Sequence, residues 1–421
     1  MSSPPSPPRH QSFAAFRNPG FRVYFTCSAL AMMADSIEHV ISYWMVFQKF
    51  QSPALGGFAV LSHWLPFLFF SVISGALADR FDPRRLIQIG MALFMSVSLG
   101  WGYFFLTDSL QVWHAQVLLV VHGFAGVLWG PASQLLIHDI AGKEHLQSAV
   151  RLNATARYMG LLLGPAVGGA ILLALGPVNG ILFNAAIYLP LVIWLWKAPY
   201  GPKFRRTPDA PRPALRGFAD VVSTARAVGG NPVLLSMTLL AGCTSFAIGN
   251  SYQAQMPGFA RDLGHGDVGI LYGMLLGADA AGALVGGVVL EGSGALQARA
   301  RTAFLLVMGW CVALAVFATT AIYPVALLAL FIAGFTELAF SSMAQTLVQL
   351  NAPDRIRGRV IGFYSFSALG MRAFSGATVG LGGTLVGIHW SLALSAAGLF
   401  TVMGCLAIYL SRSAARTAES A

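Results

Sequence analysis

Apolar runs of about 20 residues, the length of helix that crosses a bilayer, recur along this 421-residue chain and are separated by short breaks. They predict twelve spanning helices: 23–47, 54–78, 86–106, 112–138, 148–173 and 177–197, then 233–256, 267–290, 303–321, 324–349, 360–384 and 388–410. The breaks carry turn-forming residues, as at Gln51-Ser52-Pro53, Thr107-Asp108-Ser109, Gly176-Pro177 and Tyr323-Pro324. Backbone inside hydrocarbon must satisfy its hydrogen bonds within the segment, so the fold expected is an all-α membrane protein. Only 10% of the residues are charged, where about 25% is usual in a soluble domain.

The cations orient the chain. If both termini lie on the inner side, 24 of the 26 Lys and Arg fall on inner segments and only Lys49 and Arg261 fall outside, as the positive-inside rule requires. The net charge of +10 is therefore topological and implies no nucleic-acid partner. Residues 1–22 read as a Pro/Ser-rich, disordered inner tail. Residues 23–197 form a first six-helix bundle, 198–232 a polar linker, 233–410 a second bundle and 411–421 an inner C-terminal tail. The first apolar run is long and polar at its centre, which suits a span rather than a cleaved leader. Cys27, Cys243, Cys311 and Cys405 sit in apolar runs and read as small packing residues. No zinc, hydrolase or Walker A pattern is present, so no enzyme activity, ATP drive, metal or cofactor is expected.

The halves repeat weakly. Asn18-Pro19 and Asn231-Pro232 open the first and seventh runs, Asn suiting a helix cap and Pro the first turn. Gly75-Ala76-Leu77-Ala78-Asp79-Arg80 ends the second run and Gly286-Gly287-Val288-Val289-Leu290-Glu291 the eighth. Gly75, Asp79, Arg80 and the pair Arg84-Arg85 stand between the second and third runs. With these residues the chain resembles the major facilitator superfamily, departing from its loop pattern at Asp82-Pro83, where a Gly is common. The resemblance covers all twelve spans and implies two six-helix bundles with alternating access. It also implies that Gly75, Asp79, Arg80, Arg84 and Arg85 form a latch favouring the outward-facing state, against the plainer reading of a positive inner loop. Glu291 has only distant arginines for company, so the second latch is expected to be degenerate.

Gly160, Gly164, Pro165, Gly168 and Gly169 in the fifth run are similar to the helix 5 motif of antiporter branches, which implies export; generic small-residue packing is the alternative. Together with the Asp35/Glu38 helix and the loop Asp354-Arg355-Ile356-Arg357-Gly358-Arg359, this resembles the branch of macrolide-efflux proteins and siderophore exporters.

Four acids fall inside spans: Asp35, Glu38, Asp279 and Glu337. A charge at mid-bilayer costs about 2.5–3.5 kcal/mol on insertion scales, so such residues face a partner, a cavity or a proton path. Asp35 and Glu38 are three apart and share a helix face, where each carboxylate raises the other's proton affinity. The resemblance lines the central cavity with helices 1, 4, 7 and 10, which gives Asp35, Glu38 and Glu337 a proton-coupling role. Asp279 reads as a helix–helix hydrogen bond, Arg157 and Arg372 as snorkelling helix ends with counter-ions to the buried acids as the alternative, and His39, His63 and His122 as bridges more readily than relays. Tyr43, Trp129, Gln134, Asn250, Gln253, Phe335 and Gln345 are the expected substrate contacts, with Trp44, Tyr252, Phe340 and Ser341 beside them.

The expected function is a monomeric secondary transporter of a bacterial inner membrane. It would export a hydrophobic or amphipathic small molecule, drug-like or a siderophore, by proton antiport. A proton-coupled importer of the same fold, or a non-transporting membrane sensor or scaffold, are the alternatives.

Overall fold

Pro and Asn set the helix starts. The computed structural model describes residues 12–419 except 51–52, 205–216, 250, 265–269, 294–295, 376–378 and 380–381, so most of the expected N-terminal tail and part of the linker lie outside the described residues. A short 3-10 turn (Ala14–Arg17) leads into α1 (Pro19–Phe50), where Asn18 Oδ1 accepts from Gly20 N at 2.8 Å. The helix thus begins four residues before the expected span. α2 (Pro53–Arg80) and α3 (Pro83–Leu106) follow, the latter capped by Asp82.

α4 (Val112–Ile187) is one helical run broken at Gly142 (φ +67°) and Gly176 (φ +73°). Nothing stands within 4 Å of a Cβ at either position, so left-handed backbone rather than crowding requires glycine there. The polar stretch around 139–147, expected as a loop, is helical up to a single-residue break because water-exposed polar residues continue a helix as well as apolar ones do. α5 (Leu189–Lys197) completes the first half.

The expected linker contains a helix of its own, α6 (Phe218–Gly229). α7 (Pro232–Ala247) starts on Asn231, whose Oδ1 accepts from Val233 N and Leu234 N, and breaks at Gly249 (φ +49°) before the short α8 (Ser251–Ala254) and α9 (Met256–Asp262). α10 (Ile270–Ser293), α11 (Ala300–Thr319) and α12 (Tyr323–Asn351) are long. The eleventh expected span is not one helix: α13 (Arg357–Ser365) passes into a π-helical stretch (Phe366–Gly370), α14 (Arg372–Ser375) and α15 (Gly382–Val386). α16 (Ile388–Glu419) ends the chain.

Among the described residues nine helices are long and apolar enough to cross a membrane. One, Val112–Gly160, has 49 residues; at 1.5 Å per residue it would exceed a hydrocarbon core of about 30 Å more than twofold, so the break at Gly142 divides it. α1 has the length but carries Asp35, Glu38, His39 and Lys49 and is not among the nine. Each half has its own core. Tyr24, Ile87, Met91 and Tyr188 pack in the first, and Met237, Trp310, Phe317 and Leu330 in the second. Lys49 Nζ donates to Asp108 Oδ1 at 2.6 Å at the end of the molecule opposite the arginine-rich segments, holding that exposed carboxyl below its ordinary range.

Candidate functional site

Asp35 and Glu38 leave α1 less than a turn apart and meet one histidine. His122, in the first segment of α4, places Nδ1 2.7 Å from Glu38 Oε1 and Nε2 3.0 Å from Asp35 Oδ1. Ser98 of α3 donates to the other Glu38 oxygen, and Asn184 Nδ2 donates to Ser98 Oγ at 3.3 Å. Glu38, His122, Ser98 and Asn184 are all buried. His39 Nδ1 stands 3.8 Å from Asp35 Oδ2, and the His63 ring of α2 lies 5.3 Å from that of His39 and 5.5 Å from that of His122. His122 thus stands between two carboxylates, with Nδ1 hydrogen-bonded to Glu38 and Nε2 within ion-pair distance of Asp35. Ring nitrogens of His39, His63 and His122 lie within 4.8 Å of one another, the one such donor set among the described residues that could hold a transition-metal ion. As placed, His122 presents both nitrogens to carboxylates instead.

Asp35 and His63 open onto a cavity of about 230 Å³ between the halves. Trp64, Trp129 and Gln134 line it from the first half and Glu337, Ser341 and Gln345 from α12. Arg157, Tyr158 and Arg372 line it too, which corrects the expectation of snorkelling arginines. Arg372 stands 13 residues beyond Arg359, roughly 20 Å of helix from the arginine-rich end and beyond the reach of its side chain. Its Nη2 lies 3.9 Å from Glu337 Oε1 and its guanidinium 5.2 Å from the Trp64 ring centre, a cation–π contact across the halves. The π-helical stretch directly before Arg372 is a kind of distortion found often at functional sites. Tyr158 and Glu337 face this cavity together.

Other expected contacts lie elsewhere. Tyr43 is about one-third exposed, packs on the His39 ring and does not line the cavity. Gln253 and Tyr252 donate to Asp279 Oδ2 at 3.0 and 3.1 Å, tying α8 to α10, and Gln253 does not line the cavity. Phe335 packs at Gly286 between α10 and α12. Asn250 lies outside the described residues. In the helix 5 motif, a Cβ on Gly160 would stand 2.8 Å from Met32 Cβ, one on Gly164 2.2 Å from Ser36 Cβ and one on Gly168 3.2 Å from Ile37 Cα. These three glycines set the close approach of α1, whereas Gly169 touches nothing within 4 Å. The side chain of Pro165 lies outside the described set.

The halves clasp each other at the arginine-rich end. Asp79, at the end of α2, accepts from Gly358 N at 2.5 Å and Arg359 N at 2.9 Å, capping the start of α13 in the other half. Gly75 meets the Gly358 carbonyl, 2.0 Å from where a Cβ would stand. Arg359 lies 4.0 Å from Asp79 and pairs at 3.0 Å with Asp220, so the linker helix α6 braces this contact. The loop's own cations stay in the first half: Arg84 pairs with Asp82 at 2.6 Å, Arg85 donates to Gln88 at 2.8 Å, and Arg80 lies over the Phe81 ring.

The second clasp is not degenerate. Glu291, at the end of α10, is buried, accepts from Ser148 and pairs with Arg151 at 3.3 Å. Arg151 also donates to the carbonyls of Leu290 (2.5 Å) and Leu296 (3.1 Å). Partners about 140 residues away gave no signal in the local sequence.

Residues 10–420 match the family described as transmembrane secretion effector. The chain is 24% identical over 393 residues to the multidrug efflux pump Tap of Mycolicibacterium fortuitum, covering 90% of this chain and 92% of Tap. It is 23% identical over 338 residues to the enterobactin exporter EntS of Salmonella choleraesuis (strain SC-B67), covering 79% and 78%. Among solved structures, the proton:xylose symporter XylE superposes with a TM-score of 0.74 at 16% identity, over 93% of this chain and 94% of XylE, which shows the major facilitator fold. The chain is a multi-pass membrane transporter rather than an enzyme, and it belongs to the transmembrane secretion effector family of the major facilitator superfamily.

Proposed function

We propose that this transporter exports an amphipathic small molecule from a bacterial cell in exchange for protons, working as a monomer with both termini inside. One observation carries the reading: a buried Asp35–His122–Glu38 bridge that borders, through Asp35 and His63, a cavity shared by both halves. Two carboxylates in an apolar bundle are costly unless their charge is used or neutralised. An imidazolium at His122 would offset part of it, and His39, His63 and Asp35 connect the bridge to the cavity.

A proton arriving on Asp35 or on Glu38 removes a negative charge that faces His122. Either change alters the force between α1 and α4 without moving heavy atoms far. Glu337, 3.9 Å from Arg372 on the opposite wall, is the second proton site of this reading. Asp79 and Glu291 close the arginine-rich, inner end, which corresponds to the outward-facing arrangement. The relatives named as exporters support the direction of transport.

The test is accumulation of amphipathic dyes in an efflux-deficient bacterium expressing the wild type or Glu38→Gln, with and without an uncoupler. Lower accumulation with the wild type alone, abolished by the uncoupler, is the expected result. Full uncoupler-sensitive export by Glu38→Gln at equal membrane abundance would overturn the proton-site assignment.

A further inference from the structure

We infer that the exported molecule is an organic anion, an aromatic or amphipathic scaffold carrying a carboxylate or sulfonate, and that its acid group sits between Arg157 and Arg372. This rests on the transporter reading above and names its substrate class. The cavity's own acids already face cations or rings of the protein: Asp35 lies 3.0 Å from His122, and Glu337 lies 3.9 Å from Arg372. Arg157 is exposed to the cavity it lines and makes no hydrogen bond or ion pair among the described residues. A guanidinium keeps its charge in a protein, and one exposed in a cavity has donors that water or a ligand can take up. An anion brought into the cavity would supply it with geometry a guanidinium matches on two nitrogens.

Arg372 points the same way. Its contact with Glu337 is long, 3.9 Å, and its buried Nε has no acceptor. The buried Nε1 of Trp129, which lines the same cavity, also lacks an acceptor. Against these donors stands one unpartnered atom that can only accept, Gln134 Oε1, beside Ser28 Oγ, Ser365 Oγ and His63 Nδ1, which can donate or accept. Among the unpartnered atoms of the wall, those that can only donate outnumber those that can only accept, and the rest adapt to either, which suits an acceptor-rich ligand. Trp64 and Trp129 give the scaffold aromatic surfaces, with Trp64 already stacked under Arg372 at 5.2 Å. Because Arg157 belongs to the first half and Arg372 to the second, one acid group held by both would bridge the halves.

The experiment uses three probes on one scaffold: 2-naphthoic acid, 2-naphthylmethanol and 2-naphthylmethylamine. Binding to the purified full chain in detergent is measured by calorimetry, and transport in inside-out vesicles under an imposed pH gradient. The wild type is expected to bind the acid at least tenfold more tightly than the alcohol or the amine. Arg157→Gln should collapse the acid-over-alcohol ratio toward one, and Arg157→Lys should keep part of it. Equal binding of all three probes, a preference for the amine, no binding of the acid, or an unchanged ratio in Arg157→Gln would each overturn the proposal. Should Arg157→Gln fail to fold, the wild-type ratio and Arg157→Lys still decide it. Selective acid binding without pH-driven transport would uphold the anion site and count instead against proton-driven export.

Discussion

Replacing Asp79 by Asn removes one charge from the contact that shuts the arginine-rich end, and its effect can be worked out from the geometry. Asp79 accepts from Gly358 N at 2.5 Å and from Arg359 N at 2.9 Å, with the Arg359 side chain 4.0 Å away. A hydrogen bond to a charged group contributes about 1.5–3 kcal/mol and a neutral one about 0.5–1.5, so two bonds lose about 2 kcal/mol together. Loss of the anion from a helix N-terminus adds about 0.3–1 kcal/mol. The sum, about 2–3 kcal/mol, is roughly a 30- to 160-fold change in the ratio of closed to open molecules. A protein closed in about 99 of 100 molecules would then populate both arrangements measurably. Spin labels at Lys143 and Arg355, exposed on opposite halves at this end, would report the shift by double electron–electron resonance in a background lacking the exposed Cys405. A second, longer distance is expected in Asp79→Asn. A distribution identical to that of the unsubstituted protein would refute the view that this cap holds the halves together.

The buried Glu291–Arg151 contact is expected to respond more strongly: Arg151→Gln leaves Glu291 without its cation, a loss of about 3–5 kcal/mol, and the same labels should show an open end with a lowered melting temperature. Gly164→Ala would put a Cβ 2.2 Å from Ser36 Cβ and force α1 off α4, at a cost of about 1–3 kcal/mol, whereas Gly169→Ala, with nothing within 4 Å, should melt like the unsubstituted protein; equal melting of the two would show that the stripe is not a packing surface.

The spans were legible because apolar runs and Pro or Asn starts are local properties, as at Asn18-Pro19 and Asn231-Pro232. The Gly75–Asp79 spacing was legible for the same reason. Partners were not. Nothing near Glu291 announces Ser148 and Arg151, because contact between α10 and the second segment of α4 depends on how two bundles dock. Arg372 carries a usable signal, its depth of 13 residues past Arg359, which is too far from the arginine-rich end for the positive-inside pattern to explain it. Tyr43 shows a limit of another kind. It lies five residues beyond Glu38, about 140° round the helix at 100° per residue, so the two cannot share a face. Tyr158, Trp64 and Asp220 became functional neighbours only through tertiary packing.

The stretch 143–175 of α4 links the parts of the proposed cycle. Its first turns carry Ser148 and Arg151, which hold Glu291 of the other half. Its middle presents Arg157 and Tyr158 to the shared cavity. Its far portion lays Gly160, Gly164 and Gly168 against α1 at Met32, Ser36 and Ile37, next to Asp35 and Glu38. Backbones in such close contact transmit displacement stiffly, because there is no side chain between them to absorb it. Protonation of the bridge on α1 would change the pull of His122, which belongs to the segment of α4 before Gly142, and α1 would shift relative to the stripe. Within one helix that shift has only about 13 residues to travel from Gly164 to Arg151, close to 20 Å at 1.5 Å per residue. The coupling argued here needs no chain of hydrogen bonds between proton site and clasp. It needs the glycine stripe, which is why a single methyl group at Gly164 should uncouple dye export from the pH gradient as well as loosen the fold.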